Sequence, residues 1–173
     1  MICYNASSEV IMIILCGLKG CGKTTLGSAA ASHLGLSFID LDALLGQNPR
    51  YLYRQSPQLF AQAEYKALLS IDLERDGMLA LGGGTLENDS CRTYLKGRKT
   101  IYLMQDEDVL FERMRSTGWP AWLEGEADKR LAYHKVYEKR NKTCLSFCQY
   151  RLKLNDCTDR DLQGLVRLIG GII

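Results

Sequence analysis

Gly17-Leu18-Lys19-Gly20-Cys21-Gly22-Lys23-Thr24 decides the fold. The stretch reads G-x-x-x-x-G-K-T, and its flanks matter as much as its letters. Ahead of it, Val10 to Cys16 is a short apolar run of the kind that makes a buried strand. Behind it, Thr25 to Leu34 has the Ala, Leu and Ser content of a packed helix. Strand, glycine-rich loop and helix in that order make a phosphate-binding P-loop. Gly17, Gly20 and Gly22 permit backbone angles closed to residues with a Cβ, so successive N–H groups can turn inward around phosphate oxygens. The following helix adds the partial positive charge of its unpaired N–H groups. Lys23 is then placed for the β- and γ-phosphates and Thr24 for Mg²⁺. Gly20, Cys21, Gly22, Lys23, Thr24 and Thr25 are the expected nucleotide contacts. The Cys21 thiol, near Lys23 and a helix start, is either a reactive thiolate or a small residue filling a tight loop.

Working outward, Gly35 should end the first helix and Leu36–Ile39 should form a second strand running into Asp40-Leu41-Asp42. Residues two apart in extended chain share a face, so both carboxylates would look onto the phosphates. Asn48-Pro49 reads as a break. Ser56-Pro57 reads as an N-cap with proline at the first helical position, opening a helix to about Arg75. Met78–Leu81 is an apolar strand followed at once by Gly82-Gly83-Gly84, which lets a ligand approach the backbone closely. A helix over 89–96, a strand over 99–104 and a helix from Asp106 to about Arg115 follow. Residues 116–125, with Gly118, Trp119, Pro120, Trp122 and Gly125, fit a mobile lid or a loop with its aromatic residues packed on the body. A basic helical stretch runs from Glu126 to about Gln149 and is expected to break near Asn141. Tyr150–Leu154 is a fifth strand, and Thr158 with Asp161 makes a capping box for the last helix.

The alternation of strands and helices argues an α/β domain, a five-stranded parallel sheet between helices in three layers. At 173 residues, with no repeat and no linker, residues 1–173 are expected to make a single domain. A net charge of +2 gives no reason to invoke nucleic acid. The seven cysteines are scattered, form no C-x-x-C pair and read as free thiols of a cytoplasmic protein. The N-terminal apolar run is too short to span a membrane and has no basic residue ahead of it.

With these pieces placed, the chain resembles the shikimate kinases, small kinases with the P-loop kinase fold. The likeness runs from about residue 12 to 169. It is carried by Gly17 to Gly27, by Phe38-Ile39-Asp40-Leu41-Asp42, by Leu81-Gly82-Gly83-Gly84 and by Lys139-Arg140. The resemblance implies an ATP- and Mg²⁺-dependent phosphorylation of shikimate in aromatic amino-acid biosynthesis. It implies Thr24 and Asp40 as metal residues, and Lys23, Asp42 and Arg140 as the catalytic set. Asp42 would bind the ring hydroxyls and take the proton of the attacking one; Gly82, Gly83, Gly84 and Arg140 would bind substrate, with Arg140 on its carboxylate. Arg113 lies where the family places an arginine against adenine. The expected partner is the small-molecule substrate, with the protein a monomer that binds neither nucleic acid nor membrane.

Two positions depart from the family pattern. Phe60-Ala61-Gln62-Ala63-Glu64 has Ala61 where the family carries a second carboxylate-binding arginine, and Trp119-Pro120-Ala121-Trp122 lacks the arginine of the family's lid. The loop between Asp42 and Phe60 is also short. Arg54, six residues before Phe60, is the candidate to fill the vacancy, or is a solvated cation. A kinase for another hydroxylated substrate and a nucleotide-binding module with little turnover are the alternatives.

Overall fold

The computed structural model describes residues 11–173. Val10, read above as the start of the first strand, and Cys3 lie outside them. Five parallel strands form one sheet in the order β2-β3-β1-β4-β5. They are β1 (Met12–Cys16), β2 (Ser37–Asp40), β3 (Gly77–Ala80), β4 (Lys99–Met104) and β5 (Tyr150–Lys153). β1 is central: Ile13 pairs with Met78 on one side and with Lys99 on the other. All five of its residues are buried, as a strand covered on both faces requires.

Among the described residues eight α-helices flank the sheet: α1 (Lys23–Leu34), α2 (Pro49–Gln55), α3 (Pro57–Leu69), α4 (Asp89–Leu95), α5 (Glu107–Thr117), α6 (Ala121–Glu124), α7 (Lys129–Phe147) and α8 (Asp159–Gly170). α1 packs on α8 and against β1, β2 and β3, while α7 lies against β4. The core joins strand residues such as Ile14, Leu79 and Ile101 to Leu26, Leu68, Leu110 and Leu165 from the helices. Cys144 and Cys148, one turn apart, are both buried, consistent with small apolar side chains.

Three expectations about elements are corrected. Asn48-Pro49 starts a helix rather than breaking the chain. The Asn48 side chain accepts from the Arg50 N–H, and Pro49 takes the first position of α2, where its missing N–H costs nothing. α3 does begin at Pro57, with Ser56 accepting from Gln58 and Leu59, but it ends at Leu69 instead of near Arg75. α7 runs unbroken through Asn141, whose side chain accepts a 2.9 Å hydrogen bond from the Tyr102 hydroxyl. That bond gives the amide a tertiary partner, so it does not compete for its own helix backbone. Among the described residues no helix is long and apolar enough to cross a membrane.

Candidate active site

The strand C-termini collect the chemistry, because parallel strands all deliver their following loops to the same edge. The loop after β1 enters α1 through Gly22, an N-cap at φ +99° that only glycine adopts without strain. Lys23 is buried, and its ammonium donates to the carbonyls of Gly17 at 2.8 Å and Leu18 at 3.1 Å. The Thr24 hydroxyl donates to Asp40 Oδ2 at 2.6 Å. Asp40 ends β2 and also caps the 3-10 turn that follows, its Oδ1 accepting from the Asp42 N–H at 3.0 Å. Asp40 thus caps the turn with one oxygen while the other meets Thr24. Both acids face the same cleft, but through a turn rather than along extended chain.

That cleft, about 380 Å³, is lined by the P-loop from Lys19 to Thr25 except Cys21, by Asp40 and Asp42, and by Gly82, Gly83 and Gly84. Arg140 and Trp122 close another side. The three glycines are held close by the protein itself. A Cβ on Gly82 would stand 2.5 Å from Glu64 Oε1 and 2.9 Å from Asp42 Oδ1; one on Gly83 would stand 2.8 Å from the Lys19 backbone nitrogen; one on Gly84 would stand 2.9 Å from Arg140 Nη2. The glycine run thus lets the β3 loop lie directly against the P-loop, the two carboxylates and Arg140.

Charge in the cleft is unevenly matched. Desolvation raises the pKa of Asp42, the neighbouring Asp40 carboxylate raises it further, and Lys23 and Lys19 pull against both. Glu64, on α3, is almost fully buried, and burial pushes its carboxyl up to about 7 against the 2.6 Å hydrogen bond donated by Thr85. Burial also works to raise Glu87, but Arg140 and Lys139 outweigh it and hold that carboxyl below its usual range. Arg140 meets Glu87 at 2.7 Å and Lys139 meets it at 2.8 Å. The Arg140 guanidinium also lies 5.3 Å from the centre of the Trp122 ring, a cation–π contact that fixes its plane.

Lys23, Thr24, Asp40, Asp42, Gly82, Gly83, Gly84 and Arg140 therefore come together as the sequence suggested. Others do not. Cys21 is fully buried and off the cleft wall, its sulfur 2.7 Å from where a Cβ on Gly17 would stand, so it fills the space inside the loop. Arg113 lies outside the cleft lining and braces the P-loop, donating to the Gly20 carbonyl and to Asp156 at 2.6 Å each. Arg54 does not fill the place opposite Ala61; it makes two 2.9 Å hydrogen bonds to Glu124. The stretch read as lid or packed loop contains α6. Trp119 packs on Phe111 at 5.2 Å between ring centres, and Trp122 stacks on Tyr133 at 6.3 Å. Glu64, Thr85, Glu87 and Arg50 were not singled out. The G-G-G-T and F-x-x-x-E spacings pointed at the first two, whereas nothing local marks Glu87 or Arg50.

Comparison with known proteins agrees with this geometry. The profile of the shikimate kinase family matches residues 19–167. The shikimate kinase of Chloroherpeton thalassium is 32% identical over 138 residues, spanning 76% of this chain and 73% of that protein. The one from Chlamydia pneumoniae is 33% identical, over 74% of this chain and 77% of that protein. Among solved structures, shikimate kinase from Acinetobacter baumannii in complex with shikimate superposes with a TM-score of 0.83 at 25% identity, covering 94% of each chain. That from Bacteroides thetaiotaomicron gives 0.76 at 26% identity, covering 93% of this chain and 99% of that one. By this profile match and these relatives, the chain belongs to the shikimate kinase family.

Proposed function

We propose that this chain transfers the γ-phosphoryl group of ATP to a ring hydroxyl of shikimate, giving shikimate 3-phosphate. The observation that carries the reading is one cleft holding the P-loop, Asp42 and Arg140 on its walls. Phosphoryl transfer asks a protein mainly for positioning and for charge where the transition state is negative. Lys23 supplies part of that charge. Two of its N–H groups are bound to loop carbonyls, and the third lies 3.9 Å from Cys21 Sγ, a weak acceptor that a phosphate oxygen outcompetes.

Asp42 accepts the proton of the attacking hydroxyl. Burial and the Asp40 carboxylate raise its pKa, which makes it a stronger base than an exposed aspartate. Arg140, held in place by Glu87 and Trp122, takes the substrate's carboxylate, for which a planar guanidinium is the matching donor. Thr24 and Asp40 offer only oxygen, the ligand type Mg²⁺ requires, so the donor set fits that ion. Bound there, Mg²⁺ would neutralise charge on the β- and γ-phosphate oxygens. Arg113, on the outer side of the P-loop, suits the adenine end of the nucleotide. The reading takes the chain as a cytoplasmic monomer acting on small molecules. Its test is ADP release measured with shikimate, with polyols lacking a carboxylate, and with no acceptor. Turnover confined to shikimate supports it; turnover of the other polyols, or nucleotide binding without turnover, overturns it.

A further inference from the structure

Two guanidiniums of α2 converge on one carboxylate of α6. Arg50 and Arg54 stand one helical turn apart, and both reach Glu124: Arg54 through two 2.9 Å bonds, Arg50 through one of 2.6 Å. A single carboxylate balances one of them, so the junction carries surplus positive charge. The two arginines differ in what else they meet. Arg54 is away from the cleft, whereas Arg50 lines it beside Tyr53 and Phe60 and also donates to the backbone carbonyl of Trp119 on the facing lip.

The residue after Phe60 is Ala61, so α3 contributes no cation at this wall. Across the same cleft, Arg140 lies over Trp122. The segment from Trp119 to Glu124 therefore meets Arg50 at both ends and Arg140 at Trp122 between them, and both of these guanidiniums line the cleft. The cleft also contains Asp42 and Glu64, which repel an anionic substrate and must be outweighed by fixed positive charge.

We propose that Arg50 is a specificity-determining residue that exchanges Glu124 for the carboxylate of the substrate and holds it jointly with Arg140. The exchange leaves no buried charge behind, because Arg54 stays on Glu124 with both of its hydrogen bonds. The assignment rests on the acid-substrate reading given above. It places the second carboxylate ligand on α2 rather than α3, and it ties the arrival of the acid to the α6 segment.

Steady-state kinetics of the wild type, Arg50→Ala and Arg54→Ala on shikimate and on its carboxamide test it. Arg50→Ala should raise the KM for shikimate about ten- to a hundred-fold and leave that for ATP within about two-fold. The preference for shikimate over the carboxamide should shrink by a similar factor, which a merely structural role would not bring about. Arg54→Ala should keep the preference. Arg50→Lys, which retains charge and a donor for the Trp119 carbonyl, should fall between, and it supplies the same ratio if Arg50→Ala fails to fold. An unchanged preference in the Arg50 variants, or equal losses in Arg50→Ala and Arg54→Ala, overturns the assignment. A wild type silent on shikimate overturns the substrate reading and the assignment together; an active wild type with an indifferent Arg50 overturns only the assignment.

Discussion

Gly83 shows how one absent methyl group places a site. Its Cα faces the Lys19 backbone nitrogen, and backbone cannot swing aside as a side-chain tip can. Gly83→Ala should therefore push the β3 loop off the P-loop, destabilising the fold by about 1–3 kcal/mol and raising the KM for ATP several-fold. Gly46 is the control. It sits at φ +68° with nothing within 4 Å of a Cβ, so Gly46→Ala carries only the left-handed penalty of about 1–2 kcal/mol. Both variants should lose stability in denaturant, and Gly83→Ala alone should lose grip on ATP. Equal ATP kinetics in the two would show that the contact with Lys19 is dispensable.

At the scale of elements, α3 carries a titrating group into the interior. The carboxyl of Glu64 is raised from 4.5 to about 7 on folding, chiefly by burial. Below about pH 4.5 it is protonated in both states and has no effect. Between 4.5 and 7 the unfolded chain ionises first, so stability falls as pH rises, and above 7 the whole penalty, roughly 3 kcal/mol, is present. Glu64→Gln keeps an acceptor for the Thr85 hydroxyl and cannot ionise. It should be more stable than the parent at pH 8 and indistinguishable from it near pH 4, measured by urea unfolding at both values. A constant difference across that range would mean that Glu64 does not change its protonation on folding. α6 gives a second test at this scale. Trp122 lines the cleft and Trp119 packs on Phe111 away from it, so ligand-induced fluorescence change should vanish in Trp122→Phe and survive in Trp119→Phe. The reverse pattern would place the moving part at the Trp119 end.

Across the whole molecule, one core runs from β1 through both neighbouring strands to α1, α5 and α8, and the site sits on its upper edge. With no second core among the described residues, far-UV circular dichroism and tryptophan emission should trace one coincident urea transition. Separate transitions, with the tryptophans leading, would mean that the 116–125 segment unfolds independently of the domain.

The sequence by itself determined the P-loop, the alternation of elements and the acids and glycines that follow the strands. These are local properties: a run of apolar residues makes a buried strand, a glycine permits a positive φ, and a parallel sheet brings every following loop to one edge. What it could not determine is which of two identical groups points where. Arg50 and Arg54 have the same chemistry and stand four residues apart, yet one lines the cleft and the other does not, because α6 approaches from 70 residues further along the chain. Asn48-Pro49 is as good a break as a helix start until tertiary packing gives Leu52 a place to be buried. Asn141 weakens a helix unless Tyr102, 39 residues away, receives its side chain. Cys21 is buried or open to the cleft according to how the loop closes, and only the tertiary structure decides that. Partnership across long sequence separation is created by packing, so the residue types were legible in the chain and their partners were not.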